Sequence, residues 1–134
     1  LFDSLVRPYF HTEWPEAQKV NGITPEMVAG APYPHELLPQ LVEIFSEMSV
    51  CIGYNTSFDL GFLDRIGIPT EHLTVIDVMQ MFVDYLNANG GTRRRASLST
   101  CTKHFDYQWE GAAHNSLADA KATLYCYNMM KIIK

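Results

Sequence analysis

The stretch from Val50 to Ile76 constrains the fold of this chain more than any other. Val50-Cys51-Ile52-Gly53-Tyr54 is a continuous apolar run of strand length, the pattern of a strand covered on both faces. The spacing then predicts a helix from about Ser57 to Ile66, with Phe58, Phe62 and Ile66 on one side and Gly67 and Pro69 to end it. Leu73 to Ile76 is a second apolar strand, and a helix carrying Met79, Phe82, Tyr85 and Leu86 follows it. Two strands joined through a helix run parallel, because only a crossover brings the chain back to the same end of the sheet. A parallel pair needs layers on both faces, which places the chain in the α/β class.

The flanking segments supply those layers. Residues 1–7 (LFDSLVR) read as a short strand stopped by Pro8, and residues 8–35 are rich in proline and in turn signals such as Asn21-Gly22. Thr24-Pro25 is a helix start, with Thr to cap and Pro at the first helical position. From Glu36 to about Met48, Leu37, Leu38, Leu41, Ile44, Phe45 and Met48 recur at helical spacing. After the flexible Asn89-Gly90-Gly91, helical patterns run over roughly 97–105 and 116–133. About five helices against three strands make a thin sheet for its covering layers. The chain also starts at Leu1 without methionine, inside a predicted strand, so the expectation is that the first strands of the sheet lie upstream.

Composition narrows the class of function. The 134 residues, 47% of them hydrophobic, suit one compact domain with a real core. No apolar run reaches membrane-spanning length, and no leader pattern is present, so no membrane partner is expected. Cys51, Cys101 and Cys126 are odd in number and widely spaced, and Cys51 and Cys126, in apolar runs, read as small core residues in a reducing, cytoplasmic setting. Cys101-x-x-His104 is at most half a zinc site, with no second half in the chain. A net charge of −5 argues against a broad basic grip on nucleic acid, although carboxylates that hold cations count as negative until the cations arrive. The basic charge is concentrated in Arg93, Arg94, Arg95 and Lys103.

Two constellations carry chemistry. Asn55-Thr56-Ser57-Phe58-Asp59 sits where a strand hands over to a helix, and His114-Asn115-Ser116-Leu117-Ala118-Asp119-Ala120 where a loop leads into the last helix. Each puts a carboxylate in a first helical turn. Taken singly, Asp59 and Asp119 read as members of weak capping boxes begun by Thr56 and Ser116, and His114 as a surface histidine.

Taken together they resemble something more specific. Tyr54-Asn55-Thr56-Ser57-Phe58-Asp59 resembles the second motif of DnaQ-like exonucleases, His-Asn-x-x-Phe-Asp, and His114-x4-Asp119-Ala120 resembles the third motif in its histidine-bearing, DEDDh form. Asn21-Gly22-Ile23-Thr24 is similar to the loop that commonly precedes the second motif, and the resemblance spans essentially the whole chain. It implies an RNase H-like α/β fold, a mixed sheet flanked by helices, here without its first strands. It implies a metal-dependent 3′→5′ exonuclease that acts on a single-stranded 3′ end of DNA or RNA and releases nucleoside monophosphates, with a DNA polymerase as a candidate protein partner. Two divalent cations, Mg²⁺ or Mn²⁺, are implied, with Asp59 and Asp119 as ligands and His114 as general base.

The other implied contacts each have a plainer reading beside them. Asn55 orients the site or caps its helix. Ile23 and Phe62 touch the terminal nucleotides, although core packing is the stronger reading for Phe62. Arg93, Arg94 and Arg95 meet phosphates or belong to a solvated loop, and Asp77 caps the helix that follows it. Tyr54 departs from the usual His at a structural position. The larger departure is the first motif, Asp-x-Glu, since Asp3 is followed by Ser4 and Leu5. The expectation is that this motif lies upstream and that the 134 residues alone are silent. A non-catalytic binding module of the same fold, and an RNA-trimming ribonuclease, remain as rivals.

Overall fold

A computed structural model describes residues 2–109 and 115–132. Its elements run α1 (Pro15–Asn21), α2 (Pro25–Val28), α3 (Pro34–Glu47), β1 (Val50–Gly53), α4 (Thr56–Arg65), β2 (Thr74–Asp77), α5 (Val78–Ala88), α6 (Leu98–His104) and α7 (Ser116–Ile132). The crossover predicted from the sequence is present. β1 pairs in parallel with β2, in a register that sets Val50 opposite Thr74 and Gly53 opposite Asp77. Both strands therefore finish at the same level of the sheet, with a helix starting just beyond each.

Local chemistry sets the helix ends. Gly22, at φ +70°, closes α1 in the left-handed conformation and donates its N–H to the Gln18 carbonyl. The Thr24 hydroxyl caps α2 by accepting from Met27 N at 3.3 Å. Glu36 reaches back to accept from Tyr33 N at 2.7 Å at the start of α3. The Ser97 hydroxyl caps α6 through Thr100 N. Helix α1 lies in a region that reads as loop, because its short PEAQKVN sequence buries nothing and shows no apolar stripe.

Three expectations are corrected. Residues 2–14 form no strand. Arg7 N–H bonds the Pro32 carbonyl at 2.8 Å and its guanidinium the Ala29 carbonyl at 3.1 Å, so the segment is tied to a loop and has no ladder partner among the described residues. The sheet described is accordingly two-stranded. β1 is covered on one face only: Cys51 and Gly53 are half-buried, whereas Val50 and Ile52 are exposed, an alternation with the strand's own period. The stripe of α4 likewise faces outward, with Phe58 63% and Phe62 53% exposed, so Phe62 does not pack in the core.

The core sits on the other side, where α5, α6 and α7 meet. Val78, Phe82 and Val83 of α5 pack with Ala96, Cys101 and Phe105 around α6 and with Cys126 and Met130 of α7. Cys101 and Cys126 are fully buried there, their thiols hydrogen-bonded to each other, and that bond with burial holds the Cys101 proton well above its ordinary range. His104 packs its ring edge-on against Phe82 and Phe105, which accounts for it without a metal. No described helix is long and apolar enough to cross a membrane.

Candidate active site

The carboxyl ends of parallel strands are where α/β proteins bind ligands, since the following helices present their free amides there. In this chain that end is organised by Asp77, the last residue of β2. Its Oδ1 accepts from Met79 N at 2.9 Å and Gln80 N at 3.4 Å, which caps α5 as the sequence suggests. The same carboxylate reaches across to β1. Oδ1 accepts from Asn55 N at 3.0 Å, and Oδ2 accepts from Thr56 N at 3.0 Å and from the Thr56 hydroxyl at 3.2 Å. One side chain thus ties the starts of α4 and α5 together, a second role that sequence reasoning missed. The available signal was the register, which sets Gly53 and Asp77 side by side.

The turn that Asp77 holds is unusual in two ways. Asn55 adopts the left-handed conformation, φ +60° and ψ +49°, which Asn tolerates better than most L-residues. Gly53 precedes it with no room for a side chain, because a Cβ there would lie 2.7 Å from Thr56 Cγ2. Tyr54, between them, donates its hydroxyl to the Ala96 carbonyl at 3.0 Å, and burial pushes the phenol well above its ordinary range. The turn throws Asp59 into the first turn of α4.

Asp59 and Asp119 line one cavity of about 980 Å³. Ile23 lines it too, as do Asn115 and Ser116 from the start of α7 and Asp3 from the N-terminal segment. Asp3, which begins no Asp-x-Glu motif, is a third carboxylate in the cavity; its Oδ1 lies 3.5 Å from Ser116 Oγ. Partial burial raises the pKa of Asp59, and the negative charge of Asp77 adds to the shift. Burial, and after it the Asp59 charge, raises the thiol of Cys51.

Other side chains bond the leading amides of both helices. At α4 the leading amides of Asn55 and Thr56 bond Asp77, and at α7 the Asn115 side chain accepts from Ala118 N at 3.2 Å. Asp77 and Asn115 thus accept from amides at the two helix starts.

The remaining sequence candidates are dispersed. Phe58 lines the acidic cavity in place of Phe62, which lies outside its lining beneath the Arg65 guanidinium. Asn55 and Arg95 line a neighbouring hollow of about 470 Å³ with Tyr54. Arg93 is pinned by its backbone to the Asn87 amide, and Arg93, Arg94 and Arg95 are all exposed. His114 lies outside the described residues. Among the described residues no three acidic, histidine or cysteine side chains come close enough to hold a metal ion. The carboxylate oxygens that line the cavity are donors a hard divalent cation takes, so the chemistry fits while the coordination sphere is partial.

The exonuclease family model RNase_T matches residues 2–127. A Mycobacterium tuberculosis protein named as a bifunctional exonuclease/endonuclease is 40% identical over 127 residues, covering 92% of this chain and 19% of its own length. The DNA polymerase III subunit epsilon of Pasteurella multocida is 34% identical over 74 residues, covering 50% of this chain and 29% of its own length. A PolC-type DNA polymerase III of Halalkalibacterium halodurans is 28% identical over 109 residues, covering 78% of this chain and 7% of its own length. The chain thus spans less than a third of each of these relatives.

Proposed function

The chain belongs to the RNase_T exonuclease family, with the RNase H-like α/β fold that membership carries, and from that premise we propose that it is a 3′→5′ exonuclease acting in the acidic cavity. The observation that supports this most is that Asp59 and Asp119 line one cavity. Asp59 and Asp119 would hold divalent cations, Mg²⁺ or Mn²⁺, with two as the full complement. Such cations would lower the pKa of a water and offset charge on the leaving oxygen. Asp77 keeps the Asn55–Asp59 turn in place, and Asn115 fixes the first turn of α7 beneath Asp119. His114 takes the proton from the attacking water, a role suited to an imidazole titrating near neutrality. Ile23, which lines the cavity, contacts the terminal nucleotide. The substrate is a single-stranded 3′ end, DNA before RNA because one relative is named as a DNA polymerase III subunit and another as a PolC-type DNA polymerase III. A polymerase partner is proposed on the same ground.

The test uses the intact protein and single strands labelled at one end or the other. Release of mononucleotides from the 3′ label in Mn²⁺ supports the reading; release from the 5′ label alone overturns the polarity. Asp59→Ala and Asp119→Ala are each expected to lower the rate by about three orders of magnitude or more, the scale of several kcal/mol of lost charge stabilisation. Near-normal rates in both folded variants would return the carboxylates to a structural role. His114→Ala is expected to cost about 10²–10⁴-fold and to flatten the acidic limb of the pH–rate profile. Metal binding should survive that change.

A further inference from the structure

Beside the acidic cavity lies a second cleft of different chemistry. It holds about 240 Å³ and is lined by Arg7, Tyr9, His11, Trp14 and Tyr33 among others, with no carboxylate in its wall. Three rings around it lie nearly parallel. Tyr9 and Tyr33 have centroids 5.3 Å apart and planes within 5°, and His35 lies 5.8 Å from Tyr9 and 5.9 Å from Tyr33. Two of the three are tied by hydrogen bonds, since the Tyr9 hydroxyl meets His35 Nδ1 at 2.7 Å and accepts from His35 N at 3.1 Å. The Arg7 guanidinium sits over the Tyr33 ring, 5.2 Å from its centroid. Next along the chain, Phe10 is 90% exposed and tilted against Tyr9, which is itself half exposed.

Exposed rings of this size, ordered and flanked by a cation, are a surface shaped for flat, electron-rich partners. The cleft also adjoins the acidic cavity. Val28 lines both, residues 3–6 wall the cavity while residues 7–9 wall the cleft, and the Trp14 indole donates to the carbonyl of Ile23 at 2.7 Å. A strand leaving the cavity past Val28 would pass from a wall of carboxylates to a wall of rings and positive charge. We propose that the Tyr9–Phe10–Tyr33 surface, with Arg7, is a stacking platform for unpaired nucleobases of the single strand whose end lies in the acidic cavity. It rests on the exonuclease reading for the origin of that strand. Stacking on aromatic faces tolerates any base sequence, which suits an enzyme that must travel along its substrate.

The experiment measures fluorescence anisotropy of labelled single strands with the intact protein, without metal and at one fixed salt concentration, in DNA and RNA arms. One strand carries bases throughout, and a matched strand is abasic beyond its first few 3′ nucleotides. Phe10→Ala, at a site too exposed to disturb the fold, is expected to weaken the fully based strand about 5- to 100-fold and to leave the abasic strand within about twofold of wild type. Tyr9→Leu serves as a second variant, with its melting curve recorded beside it. Equal weakening of both strands, or no weakening of either, overturns the proposal. Hydrolysis of a dinucleotide, too short to reach the platform, reads the cavity alone and should be unchanged in Phe10→Ala. Wild-type protein that cleaves the dinucleotide but does not distinguish based from abasic strands refutes the platform and spares the exonuclease. The opposite pattern refutes the exonuclease and leaves the platform standing as a site for single strands.

Discussion

The acidic cavity and the aromatic cleft touch the same N-terminal segment, yet they are built on opposite terms. Two of the cavity's three carboxylates, Asp59 and Asp119, stand in the first turns of α4 and α7, the one helix held by the Asp77 clamp and the other bonded at its start by Asn115. The rings Tyr9 and Phe10 sit on a stretch without secondary structure, held by Arg7 and by the Tyr9–His35 contact. Bond-breaking needs groups placed to within about half an ångström, which helices and strands provide and loops seldom do. Holding a base by its face tolerates sliding, so a loop suffices. The difference teaches where precision is demanded in this molecule: at the strand ends and hardly at all along the N-terminal segment.

That contrast is breakable by mutation, and Asp77 is where it breaks most. Asp77→Ala leaves the amides of Asn55, Thr56 and Met79 without their acceptor, and the expected loss is about 2–4 kcal/mol in urea unfolding, from several bonds to one charged group. Hydrolysis should fall with it even in conditions where the variant is folded, whereas base-dependent binding at the cleft should persist. Parallel loss of both functions in a folded variant would show that the two regions are not separable.

A smaller effect is expected at Asn55, whose left-handed backbone is costly for a residue with an ordinary side chain. Asn55→Ala should lose about 1–2 kcal/mol and Asn55→Gly close to nothing, by the same unfolding measurement. Equal losses would assign the requirement to the Asn55 amide, and so to the contact with substrate or site that its side chain makes, instead of to the turn.

The smallest effect has the opposite sign. The raised pKa of Asp59 means that the folded state binds its proton more tightly than the unfolded state does. Stability is therefore unaffected below the unfolded value, falls as pH rises through the window up to the raised folded value, and stays lower above it. Removing the charge with Asp59→Asn should raise Tm by about 1–2 °C at neutral pH without metal, and by nothing at the acid end of that window. Added Mn²⁺ should reverse the order by stabilising wild type alone. A variant less stable than wild type at neutral pH without metal would assign Asp59 to holding the fold.

Much of this was legible from residue order. The βαβ unit announced itself because apolar runs of four or five residues followed by breakers leave little alternative, and β1, α4, β2 and α5 fall close to their expected bounds. The pairing of Asp59 with Asp119 in one cavity was legible through motifs, since spacing along the chain carries no distance between two helices. What escaped was decided by neighbours distant in sequence. The apolar run of β1 cannot say which of its faces is covered, so Val50 and Ile52 read as buried and are exposed. Phe62 failed for the same reason, as a stripe on α4 marks a face without stating what lies against it. Asp77 serving two helices, Asp3 joining the cavity and Tyr9 meeting Tyr33 across a loop are contacts that no local pattern encodes.

The buried thiol pair of α6 and α7 has a practical consequence. Cys101 and Cys126 have no path to solvent while α5, α6 and α7 stay packed, whereas Cys51 on β1 is half-buried. A thiol reagent applied to the folded protein should therefore mark the sheet first and fall silent. The two remaining labels then appear only as α7, the helix that carries Asp119 at its other end, comes away from its neighbours. The chain carries its own clock for the opening of its core, read by counting alkylated cysteines against time.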